Sequence, residues 1–272
     1  ETRNRQVLRT LVAKKAAEPL PEDPSAPAWQ KLPSQYVALM PLVWRDERPE
    51  GVLVSALYDE KDLVVHLTWE DASSSDEQLH VESFSDGAAI QISAEAEPPL
   101  FSMGAKGAPD LKVWFWKASF EKDREAGFQD VQQANPNMYV AHYPHMKDGP
   151  TTPKEPRNAP LDEHNPTFLS GRGVGNTVSQ PKPEGAESLT AHGFGTLGKR
   201  PLADQSVRAK GAWQRGFYNV VFRRALKQEG EQALGLEPGK KISIAFAVWD
   251  GAAGDRNGQK SVTIWHTLEI EK

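Results

Sequence analysis

Proline and glycine interrupt this chain so often that few long regular elements fit between them. There are 21 of each in 272 residues, and the segments they bound are short runs in which apolar and polar residues alternate. Such runs fold as strands whose two faces differ, joined by turns, and they argue against a helical bundle.

The runs can be placed one by one. Residues 37–44 are almost continuously apolar with one proline, which suits an edge strand. Residues 52–58 and 63–69 flank the turn Asp59-Glu60-Lys61-Asp62 and predict a hairpin. In its second arm Leu63, Val65, Leu67 and Trp69 share one face, and Val64, His66, Thr68 and Glu70 the other. Further strands are expected over residues 87–93, 112–118, 138–143, 217–225, 241–249 and 261–270, with a short helical piece at 225–234. Val7, Leu8, Leu11 and Val12 fall at helical spacing and predict a short helix within residues 1–17. Residues 18–33 are proline-rich and should run extended. Residues 144–190 show almost no apolar period and read as a linker or as a loop that wraps something. The sum is a mainly β fold, an antiparallel β-sandwich of immunoglobulin type, with no βαβ series for a nucleotide-binding sheet.

Several function classes are excluded. The net charge of -5 leaves no basic footprint for nucleic acid. No apolar run approaches the roughly 20 residues of a membrane-spanning helix. Residues 1–17 are charged throughout and do not read as a secretory leader. With no cysteine, thiolate catalysis, disulfides, Fe–S clusters and a covalently attached c-type haem are all ruled out. A metal here must be held by His, Met, Lys, Tyr or carboxylate. No nucleophile elbow and no phosphate-binding glycine loop is present.

The chemistry-bearing candidates are few. Met103 sits in the glycine-rich connection Phe101-Ser102-Met103-Gly104, just before the aromatic run Val113-Trp114-Phe115-Trp116-Lys117. A thioether there could reach a haem iron, with Trp114 and Trp116 lining the cavity; it could also simply fill a gap in the core. Lys210 is ordinarily a solvated cation, and would ligate iron only as the neutral amine. His142 and His145 do not make a closed metal site. Asp250–Gly258 superficially resembles a calcium loop but lacks the terminal glutamate, and reads as a hairpin turn.

Taken in order, FSDGAAIQIS, FSMGAKG, KVWFWKA, PNMYVAHYPH, GRGVGNTVS, AHGFGTLGKRPLADQSVRAKGAWQRGFYNVVFRRAL and ISIAFAVWDGAAGDRNGQKSVTIWHTLEI resemble the ethylbenzene-dehydrogenase-type haem-binding domain. That domain is the gamma subunit of periplasmic molybdenum enzymes of the type II DMSO reductase family, which includes chlorate and selenate reductases, dimethylsulfide dehydrogenase and nitrite oxidoreductase relatives. The likeness covers residues 25–272 and leaves 1–24 as an N-terminal extension. It implies a DOMON-like sandwich with long loops over a non-covalent haem b held by methionine and lysine. Met103 takes the methionine position and Lys210, in the AKGAW segment, the lysine, with Lys199 and His192 as alternatives. A histidine ligand would match the Met/His haems of related DOMON cytochromes. Asn137, Tyr139, Tyr143, Arg172, Asn176 and Phe194 are candidates to line the pocket or meet the propionates.

The resemblance further implies an electron-transfer subunit, not a catalyst. It would relay single electrons between an Fe–S beta subunit, beside a molybdenum alpha subunit, and an external c-type cytochrome outside the cytoplasm. The rival expectations are a haem-free carbohydrate- or ligand-binding sandwich, and a stand-alone b-type cytochrome.

Overall fold

A computed structural model of the chain describes residues 7–99, 103–104, 110–127, 135, 137, 182–201, 204–227 and 234–272. The strands in chain order are β1 (Thr10–Lys15), β2 (Gln35–Ala38), β3 (Met40–Pro41), β4 (Gly51–Tyr58), β5 (Asp62–Glu70), β6 (Gly87–Ser93), β7 (Leu111–Lys117), β8 (Ala186–Ala191), β9 (Gly198–Lys199), β10 (Val207–Gln214), β11 (Phe217–Ala225), β12 (Lys241–Trp249), β13 (Ser261–Val262) and β14 (His266–Ile270). Two helices accompany them, α1 (Pro27–Gln30) and α2 (Ala118–Ala126).

The strands form two sheets. Sheet B runs β10-β11-β5-β4, with β2 on β4, and sheet A runs β14-β12-β6-β7-β8-β9, with β13 on β12 and β3 on β13. The expected hairpin is β4–β5, paired from Leu53↔Thr68 to Tyr58↔Leu63. Alternation puts Leu63, Val65, Leu67 and Trp69 in the core, where they meet Ala88, Ile90, Ile92, Trp114 and Trp116 of sheet A. At its centre Trp69 stacks on Tyr218 with ring centroids 5.1 Å apart, and Trp116 meets Tyr218 edge-on at 5.6 Å. The Trp116 indole N–H donates to Glu121 Oε1 at 2.9 Å, and the same oxygen accepts the Gly211 N–H at 2.8 Å. A β-carbon on Gly211 would lie 2.1 Å from the Trp116 ring, so the AKGAW segment carries glycine where the two sheets approach closest.

Several expectations are corrected. Residues 10–15 are not helical: they form β1, parallel to β14 on one side and to β4 on the other. Leu11 and Ala13 are buried in the core, so this strand stitches the two sheets together and belongs to the sandwich. The helical spacing of Val7, Leu8, Leu11 and Val12 loses to backbone pairing, because β1 finds open strand edges on both sides. Residues 186–190, read as part of the long loop, belong to β8, paired to β7 and β9. Residues 37–44 divide into β2 and β3, which join different sheets. Residues 261–270 divide into β13 and β14. Against β12, Val262 opposes Ala247, but His266 opposes Ile244, a one-residue slip that marks a β-bulge. The Thr263 hydroxyl accepts the Phe246 N–H at 2.9 Å inside it. The strand expected at 138–143 and most of the helical piece at 225–234 lie outside the described residues. Among the described residues no helix is long and apolar enough to cross a membrane.

On the outer face of sheet B, His66 is buried and stacks on Trp29 of α1 at 4.5 Å; its Nε2–H donates to the Pro24 carbonyl at 3.0 Å. Burial pushes its pKa down from 6.5 to about 4, against the Pro24 hydrogen bond. Between these values the unfolded chain binds more protons than the folded one. The stabilisation is therefore complete above about pH 6.5 and lost as pH falls toward about 4. Replacing His66 by Phe should cost about 1 kcal/mol at neutral pH through the lost hydrogen bond, and should flatten the fall in Tm on acidification through that window, as followed by thermal melts at stepped pH.

Candidate functional site

Antiparallel sheets usually keep one face in water. Sheet A does not. Its outer face carries Gly87, Ala89 and Gln91 from β6, Val113, Phe115 and Lys117 from β7, Leu189 from β8, and Ala245, Ala247 and Trp249 from β12. These follow from strand alternation, since their neighbours Ala88, Ile90, Trp114, Trp116, Phe246 and Val248 point into the sandwich. Glycine and alanine at the middle positions of β6 and β12 leave a shallow floor, with aromatic walls at Phe115, Trp249 and Trp265. Above it lies a cavity of about 660 Å³, within the size range of cofactor sites. Its rim carries Leu42, Phe194 and Leu197, all well exposed.

Met103 lines this cavity. It packs on Ala89, Val113 and Leu189 beside Phe115, Ala247 and Trp249. Its sulfur lies 3.9 Å from Gln91 Nε2, and its carbonyl accepts the Gly193 N–H at 2.7 Å. The next residue explains the local sequence. Gly104 has φ +93°, and a β-carbon there would sit 3.1 Å from the His192 α-carbon. Only glycine lets the Met103 connection dock on the turn after β8.

Two amines share the cavity. Lys260 follows the turn that Asn257 and Gly258 close, with Nζ 4.7 Å from the centroid of the Trp249 ring. Burial alone pushes its pKa down, and among the described residues the amine has no hydrogen-bond or ion-pair partner. Lys117 ends β7 with Nζ 5.6 Å from the Phe115 centroid. Burial lowers its pKa too, but the nearby Glu187 carboxylate opposes the shift. Sequence reading passed over both. Alternation along the Val113-Trp114-Phe115-Trp116-Lys117 run could have placed Lys117 on the Met103 side, whereas Lys260 needed the β12–β13 pairing.

The structure brings together only part of the expected set. Trp114 and Trp116 lie in the inter-sheet core, Trp114 beneath the buried Arg224 guanidinium at 5.7 Å. Their place on the cavity wall is taken by Val113 and Phe115, one residue out of phase. Phe194 stands at the rim. His192 is exposed, with Nδ1 4.0 Å from Asp110 Oδ1, and it does not line the cavity. Lys210 is exposed on β10, an edge of sheet B, opposite Val221. It is not brought to Met103. Lys199 pairs with the buried Glu187 carboxylate, which Lys182 also reaches at 3.1 Å. Asn137 is exposed. Tyr139, Tyr143, Arg172 and Asn176 lie outside the described residues.

A wider groove of about 930 Å³ crosses sheet B, lined by Tyr36 and Phe217 with Asp46, Glu47, Arg48, Glu50 and Glu70. It offers no soft donor and much fixed charge. The Met103 cavity differs in kind: one thioether, two amines of lowered basicity and an apolar floor. That donor set suits a flat iron porphyrin held by thioether and nitrogen.

Comparison with known proteins agrees in outline. The sequence profile described as ethylbenzene dehydrogenase matches residues 26–261. A proposed respiratory nitrate reductase heme subunit, ORF7, of Haloferax mediterranei is 25% identical over 92% of this chain and 68% of its own length. Chlorate reductase subunit gamma of Ideonella dechloratans is 22% identical over 91% and 79%. Dimethylsulfide dehydrogenase subunit gamma of Rhodovulum sulfidophilum is 24% identical over 90% and 73%. Among solved structures, a family 9 carbohydrate-binding module from Caldicellulosiruptor kristjanssonii with cellotriose aligns over 97% of this chain and 94% of its own, at 8% identity and TM-score 0.43.

The Gly104 geometry can be tested directly. Gly104→Ala should lose about 1–3 kcal/mol of stability in denaturant melts. Gly235→Ala, where φ is not positive and nothing lies within 4 Å of the new carbon, should lose far less.

Proposed function

The chain belongs to the ethylbenzene dehydrogenase family, and from that premise we propose that it is the haem b electron-transfer subunit of a molybdenum oxidoreductase complex. It passes single electrons between an Fe–S subunit and an external cytochrome. The observation that carries this reading is the apolar cavity in which the Met103 thioether and the unpaired amine of Lys260 both form part of the wall.

Met103 and Lys260 are the residues that would hold the iron, and Lys260 replaces Lys210 in that role. A lysine binds iron only as the neutral amine. Burial already shifts Lys260 toward that form and no carboxylate among the described residues stabilises its charge, whereas Lys210 is exposed to water. Lys117 is less suited, because Glu187 favours its ammonium. When bound, the haem supplies a one-electron couple. The chain's own residues supply the rest: Gly87, Ala89, Ala245 and Ala247 leave room for a flat ring, and Phe115, Trp249 and Trp265 exclude water around it. With its iron held by two side chains of the protein, the group would serve electron transfer and not substrate turnover.

That the relatives are gamma subunits of chlorate reductase and dimethylsulfide dehydrogenase supports a multi-subunit setting. Visible spectra of the purified chain, oxidised and reduced, test the reading. Sharp reduced α and β bands are expected. Met103→Ala and Lys260→Ala should each abolish or shift them, while Lys210→Ala should leave them unchanged. A folded chain that stays colourless after incubation with haem would refute the proposal.

A further inference from the structure

Away from the Met103 cavity, three aspartates converge at one end of the sandwich. Asp71 follows β5 of sheet B, Asp86 precedes β6 of sheet A, and Asp250 follows β12 of sheet A. One carboxylate oxygen of each lies within 4.8 Å of the others. Asp71 and Asp86 are buried, at 5% and 0% exposure, and Asp250 is half-buried. None of the three forms an ion pair among the described residues. Buried charges are normally paired or bound to a metal, and no cation among the described residues pairs with these three.

A second observation points to a ligand. The Asp86 oxygens accept the Ser75 N–H at 2.6 Å and the Gly251 N–H at 2.7 Å, and Asp250 Oδ1 accepts the Ala253 N–H at 3.0 Å. Asp71 is different. Its Oδ1 takes the Ser73 N–H at 3.1 Å, but Oδ2 is fully buried with no hydrogen-bond partner. The neighbouring Trp69 indole N–H lies close by without reaching hydrogen-bond geometry. A solvent-excluded carboxylate oxygen that falls short of a well-formed hydrogen bond is costly unless it faces a positive charge.

We propose that Asp71, Asp86 and Asp250 bind a divalent cation of the calcium class, which clamps the end of β5 in sheet B to β6 and β12 in sheet A. The donors are all hard oxygens. Three carboxylates from three separate connections suit the flexible coordination of calcium better than the near-ideal octahedron that magnesium demands. Half-buried Asp250 leaves a side on which water completes the six to eight oxygens calcium takes. The ion neutralises repulsion between carboxylates that burial otherwise pushes toward their protonated forms. The loop it anchors, residues 250–258, also supplies Asn257 and Gly258 to the cavity wall.

The test needs the intact chain and no haem signal. Protein purified without chelator should contain about one calcium by elemental analysis. Chelation should lower Tm, and calcium at a hundredfold excess over its dissociation constant should raise it again by roughly 5–10 °C. Asp71→Asn and, separately, Asp250→Asn should abolish the calcium response. A chelated wild-type chain whose Tm ignores added calcium would overturn the proposal whatever the variants do, as would an equal response to magnesium or a full response in both variants.

Discussion

A sheet with two apolar faces governs the rest of this structure. Each strand of sheet A must bury its inner side chains against sheet B, and the outer ones are nearly as apolar. Burial yields about 25 cal/mol per Å², so an outer face of this kind is stable only when something covers it. The chain covers part of that face with the Met103 connection and with residues 260–265, and leaves a cavity over the small residues of β6 and β12. Site and fold thus have one origin: glycine and alanine where a sandwich strand would ordinarily carry larger residues.

The connections obey the same constraint. β1 pairs with both β4 and β14, and so closes the two sheets over a common core. The bulge between β13 and β14 changes the strand's phase, which lets Trp265 join Leu111 and Ala245 outside while Leu268 and Ile270 stay inside. Gly104 and Gly211 each permit an approach that a single methyl group would block. The bulge and Gly104 also fix where the cavity residues Trp265 and Met103 sit.

Charge is handled case by case. Glu121 is buried yet satisfied by an indole and a backbone amide, and Glu187 by two lysines. Among the described residues Lys260 has neither kind of partner, and the three aspartates accept backbone amides but pair with no cation. Desolvation without compensation is expensive for a fold but useful at a site, since it shifts an amine toward its neutral form or leaves a carboxylate open to a cation.

Much of this was legible in sequence. Short apolar runs bounded by turn residues located β4, β5, β6, β7, β11 and β12. Met103 stood out by its glycine neighbours, and the family by the order of its motifs. Which face a residue occupies was harder. Trp114 and Trp116 look like cavity aromatics, yet pairing with β6 turns them inward and turns Phe115 and Lys117 outward. The amine was invisible for a related reason. Lys210 and Lys260 both stand near a glycine in the chain, and only pairing between distant strands exposes the first on a sheet edge and buries the second beside Trp249. Local sequence determines that a strand forms, because alternation and turns act over a few residues. Tertiary structure decides what each face meets, because that depends on register with strands far away in the chain.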